Sequence, residues 1–142
     1  VDGSAYGEAA TDYVLAHKDF FGADPDFRVL HVVRDYQTLV ATTSVEYVMP
    51  TVTTEEFEKS TAEEFEKTVE PVLKRFEQAD VPVQAEKLTG FASDAIAEYA
   101  KSELDLLVIG SHGYGNFKSA VLGSTAMHIA AECKVPLLVV RH

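Results

Sequence analysis

Apolar positions along the chain form two kinds of pattern, short continuous runs and longer stretches with helical spacing. The runs at 27–33, 104–109 and 137–140 predict buried β-strands, and the alternating segment 83–88 predicts a further strand. Between these strands, the spacing predicts four helices. They cover 5–21, a segment that starts after 53–56, the segment from Ser93 or Asp94 to Lys101, and 126–133.

Local signals mark several ends of these elements. Ser4 can cap the first helix and Gly22 can end it, while Thr53 and Glu56 have the spacing of a capping box. The second helix carries a stripe from Phe57 to Phe76, and Pro71 is expected to kink or split it. The segment 35–52 has no clear period and is predicted to be a loop.

Strands that alternate with helices predict an α/β fold, with an open parallel sheet covered by helices on both faces. Val1 resembles the end of a strand, so a few residues are expected to be missing before it. That strand would complete a five-stranded sheet in the flavodoxin-like order 3-2-1-4-5. Asp2 would then face the segment after the fourth strand across the switch point of the sheet. Residues 1–142 are predicted to form a single domain.

Composition excludes some classes of partner. The formal net charge of −11 argues against nucleic acid or an anionic membrane surface, because both require a basic protein face. Cys133 is the single cysteine, which excludes an internal disulfide and fits a reducing compartment. No apolar run approaches the length of a membrane span. The expected location is therefore the cytoplasm.

The segment from Gly110 to Thr125 carries the clearest candidate chemistry. It is rich in glycine and joins a predicted buried strand to a predicted helix, and no Asp or Glu occurs from Gly110 to Ala131. Glycines let backbone N–H groups approach an anion, and a helix start supplies free donors and a positive dipole end. The segment therefore predicts a phosphate site.

Three segments together resemble the universal stress protein family. They are Val1-Asp2-Gly3-Ser4, the pattern Gly110-x2-Gly113-x9-Gly123-Ser124, and the closing strand that leads to Arg141. The resemblance spans nearly the whole chain, and the glycine pattern is that of the nucleotide-binding members. It implies a protein that binds ATP or a related adenine nucleotide, with the presence of Mg²⁺ left open.

The resemblance also implies roles for individual residues. Asp2 would contact the base or ribose, and the backbone of Gly110 and Gly113 would lie along the sugar. The phosphates would lie at the helix start. The full candidate set is Asp2, Gly110, Ser111, His112, Gly113, Lys118, Gly123, Ser124 and Thr125.

Alternatives remain for several of these residues. The glycine loop could be a tight turn that binds nothing, and Asp2 could serve only as an Asx-turn partner for Gly3 and Ser4. His112 and Lys118 could be solvated surface side chains. A P-loop is disfavoured because Asn116 and Phe117 stand where Lys and Ser or Thr are required. No catalytic or metal-binding residues are predicted, and the histidines show no metal spacing.

The sequence thus predicts a nucleotide-binding regulatory protein of the stress response. Two alternatives stay open, namely an interaction module of the same fold without nucleotide, and an enzyme limited to slow ATP hydrolysis. The apolar strand 137–140 would be a sheet edge in the predicted order, and such edges tend to pair. Together with the resemblance, this predicts a homodimer formed through the C-terminal strand.

Overall fold

The computed structural model describes residues 1–36, 52–114 and 121–142. Helices and strands alternate along the chain, as the hydrophobic pattern predicts. In chain order the elements are α1 (Ala5–Ala16), a 3₁₀ helix (Lys18–Phe21), β1 (Phe27–Val33), α2 (Thr54–Gln78), β2 (Val83–Thr89), α3 (Ala92–Glu103), β3 (Leu107–Gly110), α4 (Ser124–Glu132) and β4 (Leu137–Val140).

The described strands form two parallel pairs. β1 pairs with β2, with Phe27 opposite Val83, and β3 pairs with β4, with Leu107 opposite Leu137. The backbone nitrogen of Val1 donates a 2.6 Å hydrogen bond to the carbonyl oxygen of Leu30 in β1. The parallel α/β character is confirmed. The described residues form four strands in two sheets, so the five-stranded sheet in the order 3-2-1-4-5 stays a prediction.

Helices cover both faces of the strands. One core cluster joins α1 and α2 to the sheet through Val14, Val29, Val69 and Phe76. A second cluster joins α3 and α4 through Leu30, Ala100, Leu107 and Ile129. Neighbouring residues Val29 and Leu30 belong to opposite clusters, because successive side chains of a strand point to opposite faces.

The start of α2 follows the predicted capping box. The Thr53 hydroxyl accepts a bond of 3.2 Å from the Glu56 backbone N–H, and the Glu56 carboxylate accepts one of 2.9 Å from the Thr53 N–H. The bond from the Thr53 backbone N–H lowers the pKa of the Glu56 carboxyl. The helix then continues through Pro71 without being split, since Val69 and Val72 on either side are buried in the core.

Several predicted boundaries differ from the structure, including the start of the last helix, which lies at Ser124 and not at Ala126. The first helix ends at Ala16, and the 3₁₀ helix carries the chain to Gly22, whose φ of 108° only glycine adopts readily. Strand β3 begins at Leu107 because α3 extends to Glu103 and Leu104 caps it. Residues 37–51, most of the predicted loop 35–52, lie outside the described residues. No helix in the described part of the chain is long and apolar enough to cross a membrane.

Candidate functional site

A cleft of about 340 Å³ opens at the carboxyl end of β3, beside the start of α1. This is the edge at which ligands of parallel α/β sheets bind. Most of the predicted site residues line this one cleft: Asp2, Gly110, His112, Gly113, Gly123, Ser124 and Thr125. Ser111 is buried and does not line the cleft, and Lys118 lies outside the described residues. The structure therefore brings together seven residues from three segments of the sequence, at position 2, at 110–113 and at 123–125.

The two carboxylate oxygens of Asp2 have different surroundings. Oδ1 accepts hydrogen bonds from the Ser4 backbone N–H at 3.0 Å and from the Ser4 hydroxyl at 2.6 Å. Ser4 in turn caps α1 by accepting a 3.3 Å bond from the N–H of Gly7. This is the Asx-turn arrangement that the sequence left open as an alternative. It occupies Oδ1, whereas Oδ2 points toward the glycine loop.

Gly113 is the loop residue that faces Asp2. A Cβ atom at this position would lie 2.7 Å from Oδ2 of Asp2. Any side chain here would thus displace the carboxylate and fill space at the centre of the cleft. The close approach of Gly113 to Asp2 is a reason for glycine that does not involve an unusual backbone angle.

Gly110 is required for a different reason, the packing of α1 against β3. A Cβ atom at Gly110 would lie 2.5 Å from the carbonyl oxygen of Tyr6 and 2.7 Å from its carbonyl carbon. Both atoms are backbone of the first turn of α1, which cannot rotate away. Gly110 therefore sets how closely α1 approaches the strand, and α1 carries Asp2 and Ser4 at its start.

Backbone hydrogen bonds hold the two ends of the glycine loop together. The N–H of Ser111 donates to the carbonyl of Val140, and the N–H of Gly123 donates to the carbonyl of Ser111, each over 2.8 Å. Ser111 is only 2% exposed, and its hydroxyl lies 3.0 Å from Nδ1 of His112. Ser111 is thus positioned to support the loop, while His112 lines the cleft and packs against the ring of Tyr6.

The start of α4 has the features of an anion site. The residue before the helix is Gly123, which has no side chain that could cap it. No side chain therefore accepts a hydrogen bond from the first backbone N–H groups of α4. The first turn contains no acidic residue. The exposed residues Ser124 and Thr125 add two hydroxyl groups beside these amides. An anionic group placed here would meet N–H donors, hydroxyls and the positive end of the helix dipole.

Several cleft residues are absent from the sequence-based prediction. Ala92 and Ile96 of α3 form an apolar wall, and Tyr114, which is 79% exposed, stands at the rim. His31 is 6% exposed and bonds through Nδ1 to the carbonyl of Val1 at 2.8 Å. Its Nε2 lies 3.7 Å from Glu64. Strand and helix periodicity assigns Ile96 and His31 to the core and cannot show that they also border a cleft.

The carboxylate of Asp2 supplies the negative charge in the cleft. Asp2 is the only acidic residue among the described residues that line the cleft.

These features define an α/β protein with a glycine-lined cleft at the carboxyl end of its strands. The sequence profile of the Universal stress protein family matches residues 1–141. The chain therefore belongs to the universal stress protein family.

Individual relatives carry the same family name. The chain is 35% identical over 75 residues to the universal stress protein Slr1230 of Synechocystis, a match that covers 52% of this chain and 25% of that protein. It is 30% identical over 87 residues to MJ0577 of Methanocaldococcus jannaschii, covering 61% and 54% respectively. The matches thus span between a quarter and about half of the length of these relatives.

Solved structures share the fold. The structure of MJ0577 superimposes with a TM-score of 0.77 at 24% identity, over 100% of this chain and 92% of that one. A universal stress protein in complex with cAMP gives 0.62 at 18% identity, over 99% and 90%. A family protein of Arabidopsis thaliana with AMP bound gives 0.58 at 17%, over 95% and 77%.

Proposed function

We propose that the cleft binds an adenine nucleotide, ATP or a close relative, and that the protein is a cytoplasmic regulator of the stress response. The observation that carries this proposal is the convergence of Asp2, the loop glycines and the start of α4 on one cleft. The cleft has an apolar wall for a base, a carboxylate for hydroxyl or amino groups, and an anion site for phosphates. Relatives of the same fold with cAMP or AMP bound support the choice of an adenine nucleotide.

The direct experiment is to identify what the purified protein retains. Native mass spectrometry before dialysis, together with absorbance near 260 nm after extraction, would detect bound nucleotide. Calorimetry with ATP on the nucleotide-free protein would then give the affinity. A protein that neither retains nucleotide nor binds added ATP would favour the interaction module without nucleotide.

Binding is better supported than hydrolysis. Phosphoryl-transfer sites hold the metal with a carboxylate near the phosphates and position the attacking group with a second residue. Within the described lining, Asp2 is the single acid, and its Oδ1 is already bonded to Ser4. Slow ATP hydrolysis, with Mg²⁺ carried by the nucleotide, remains the second candidate activity.

We expect Asp2 to recognise the nucleoside part of the ligand. A carboxylate near phosphates would repel them, whereas near the ribose or base it can accept hydrogen bonds. Asp2→Ala should therefore weaken adenosine and ATP by similar factors, about tenfold, as expected for one charge-assisted hydrogen bond. Calorimetry with both ligands measures this.

A control variant and a contradicting outcome complete the Asp2 experiment. Asp2→Asn is the matched control, because its amide oxygen can still accept the bonds from Ser4 and keep the start of α1 in place. If Asp2→Ala leaves adenosine binding intact and tightens ATP binding, the carboxylate lies near the phosphates and the assignment is wrong.

We further propose a homodimer formed through β4. Backbone bonds to β3 involve Pro136 and Val140. Because ladder contacts alternate along a strand, the N–H and C=O of Val139 point away from β3. The β4 sequence Leu-Leu-Val-Val has no charge along this edge, whereas β2, the other edge in the predicted order 3-2-1-4-5, carries Glu86 and Lys87. Charged residues protect an edge against pairing, so β4 is the edge that favours a partner.

Val139→Pro is expected to convert the dimer to a monomer, since it removes an outward N–H without touching the bonds to β3. Lys87→Pro is the matched control on the opposite edge and should leave the dimer intact. Sedimentation equilibrium at about 20 μM measures the mass, and a biological dimer persists at that concentration. Wild-type protein that sediments with the 15.5 kDa mass of a single chain would contradict the proposal.

A further inference from the structure

Three side chains of the types that bind metal ions converge from two helices on the outer surface of the α3–α4 face. Asp94 lies in the first turn of α3, and His128 and Glu132 lie on α4. The four-residue spacing places His128 and Glu132 on the same side of α4. Within residues 1–36, 52–114 and 121–142, this is the one place where three such ligand atoms meet.

The distances fit a common ion. Nε2 of His128 lies 3.3 Å from Oε1 of Glu132 and 3.9 Å from Oδ1 of Asp94, and all three ligand atoms lie within 4.8 Å of one another. Ligands bound tetrahedrally to zinc at about 2.1 Å are about 3.4 Å apart. Small side-chain rotations would therefore bring the three atoms to bonding distance.

The Ser93 hydroxyl donates a 3.2 Å hydrogen bond to Oδ1 of Asp94, and a second lone pair of that oxygen stays open to an ion. All three side chains are exposed. Their exposed fractions are 53% for His128, 63% for Asp94 and 57% for Glu132, so none is committed to the core. None of the three lines the cleft described above. The cluster is therefore separate from the proposed nucleotide site, although Ser124 of that site lies one helical turn before His128.

We propose that Asp94, His128 and Glu132 bind a divalent transition-metal ion, for which zinc is the best fit, and that the ion links α3 to α4. An imidazole nitrogen selects zinc over magnesium and calcium, which prefer all-oxygen sites. The two carboxylates balance the charge of the ion. Three protein ligands leave a fourth position for water or an external ligand, as in zinc sites that are not purely structural.

A simpler interpretation of the same geometry is an ion pair between a protonated His128 and the two carboxylates. The two interpretations differ in their response to metal. An ion pair contributes little at an exposed position and is indifferent to zinc, whereas a metal site gains stability as the ion is added.

The test is a titration of ZnCl₂ into wild-type protein and the His128→Ala variant, followed by calorimetry and thermal unfolding. Wild-type protein should bind one zinc ion at the cluster, and its Tm should rise by about 9 °C at a hundredfold excess over Kd. His128→Ala should bind at least about tenfold more weakly at this site and lose the Tm shift. MgCl₂ should produce no shift.

Matched variants separate the cluster from other zinc ligands. His17→Ala removes another exposed helix histidine, one that bonds to the Tyr13 carbonyl, and should leave zinc binding unchanged. Cys133→Ser should also leave it unchanged, because the thiol already contacts the Val135 carbonyl. Asp94→Asn and Glu132→Gln should each weaken it. Equal zinc binding by wild-type and His128→Ala protein, or loss of binding in Cys133→Ser, would overturn the proposal.

Discussion

Gly110→Ala is expected to lower the free energy of unfolding by about 3 kcal/mol, the upper end of the range for overpacking a tightly packed site. The added Cβ would lie 2.5 Å from the Tyr6 carbonyl oxygen, which belongs to the backbone of α1. No side-chain rotation relieves that contact, so α1 must move away from β3. The core contacts of Val14 would loosen with it.

Denaturant unfolding measures this effect, and Gly113→Ala is the control. A Cβ at Gly113 meets only Oδ2 of Asp2, which lies at the end of an exposed side chain that can rotate. We therefore expect the midpoint for Gly113→Ala to stay close to that of the wild-type protein. Equal midpoints for Gly110→Ala and wild-type protein would contradict the close packing of the Tyr6 backbone in α1 against Gly110 in β3.

The two glycines illustrate how much the sequence could predict. The pattern Gly110-x2-Gly113 predicted close backbone approach at both positions and assigned both to the ligand. In the structure the two glycines have different neighbours, because Gly110 lies against Tyr6 and Gly113 against Asp2. Both neighbours are about a hundred residues away in the sequence, and no local pattern encodes which helix packs over which glycine.

Elements determined by local interactions were predicted well. Strand 137–140 has the predicted bounds, and the capping box of Thr53 and Glu56 forms as expected. At Pro71 the helix is not split. Its lost hydrogen bond favours a break, but the buried residues Val69, Val72 and Phe76 hold both halves of α2 against the strands. Tertiary packing outweighs the local preference there, and a local rule cannot anticipate it.

The same distinction applies to the candidate sites. The rule that ligands bind at the carboxyl ends of parallel strands correctly placed Asp2 beside the glycine loop. The spacing of His128 and Glu132 is visible in the sequence, yet the sequence predicted no metal ligands. Asp94 joins that cluster only through the packing of α3 on α4, a contact between segments more than thirty residues apart.

Gly113→Val is expected to reduce ATP affinity by at least about a hundredfold while the protein stays folded. That loss corresponds to about 3 kcal/mol of binding free energy. The branched side chain would occupy the space in front of Oδ2 of Asp2, displace the carboxylate and keep the ligand from the loop backbone. Gly113 is not among the positive-φ glycines, so valine should introduce no backbone strain.

Calorimetry with ATP and with adenosine measures the effect of Gly113→Val, and circular dichroism verifies the fold. Ala130→Val is the matched control, since it adds the same side chain at an exposed position of α4 that does not line the cleft. Both ligands should lose affinity in Gly113→Val, because the obstruction lies on the Asp2 side of the cleft and not at the start of α4. Loss of ATP alone would place the phosphates against Gly113, and unchanged affinity in a folded Gly113→Val protein would remove the glycine loop from the nucleotide site.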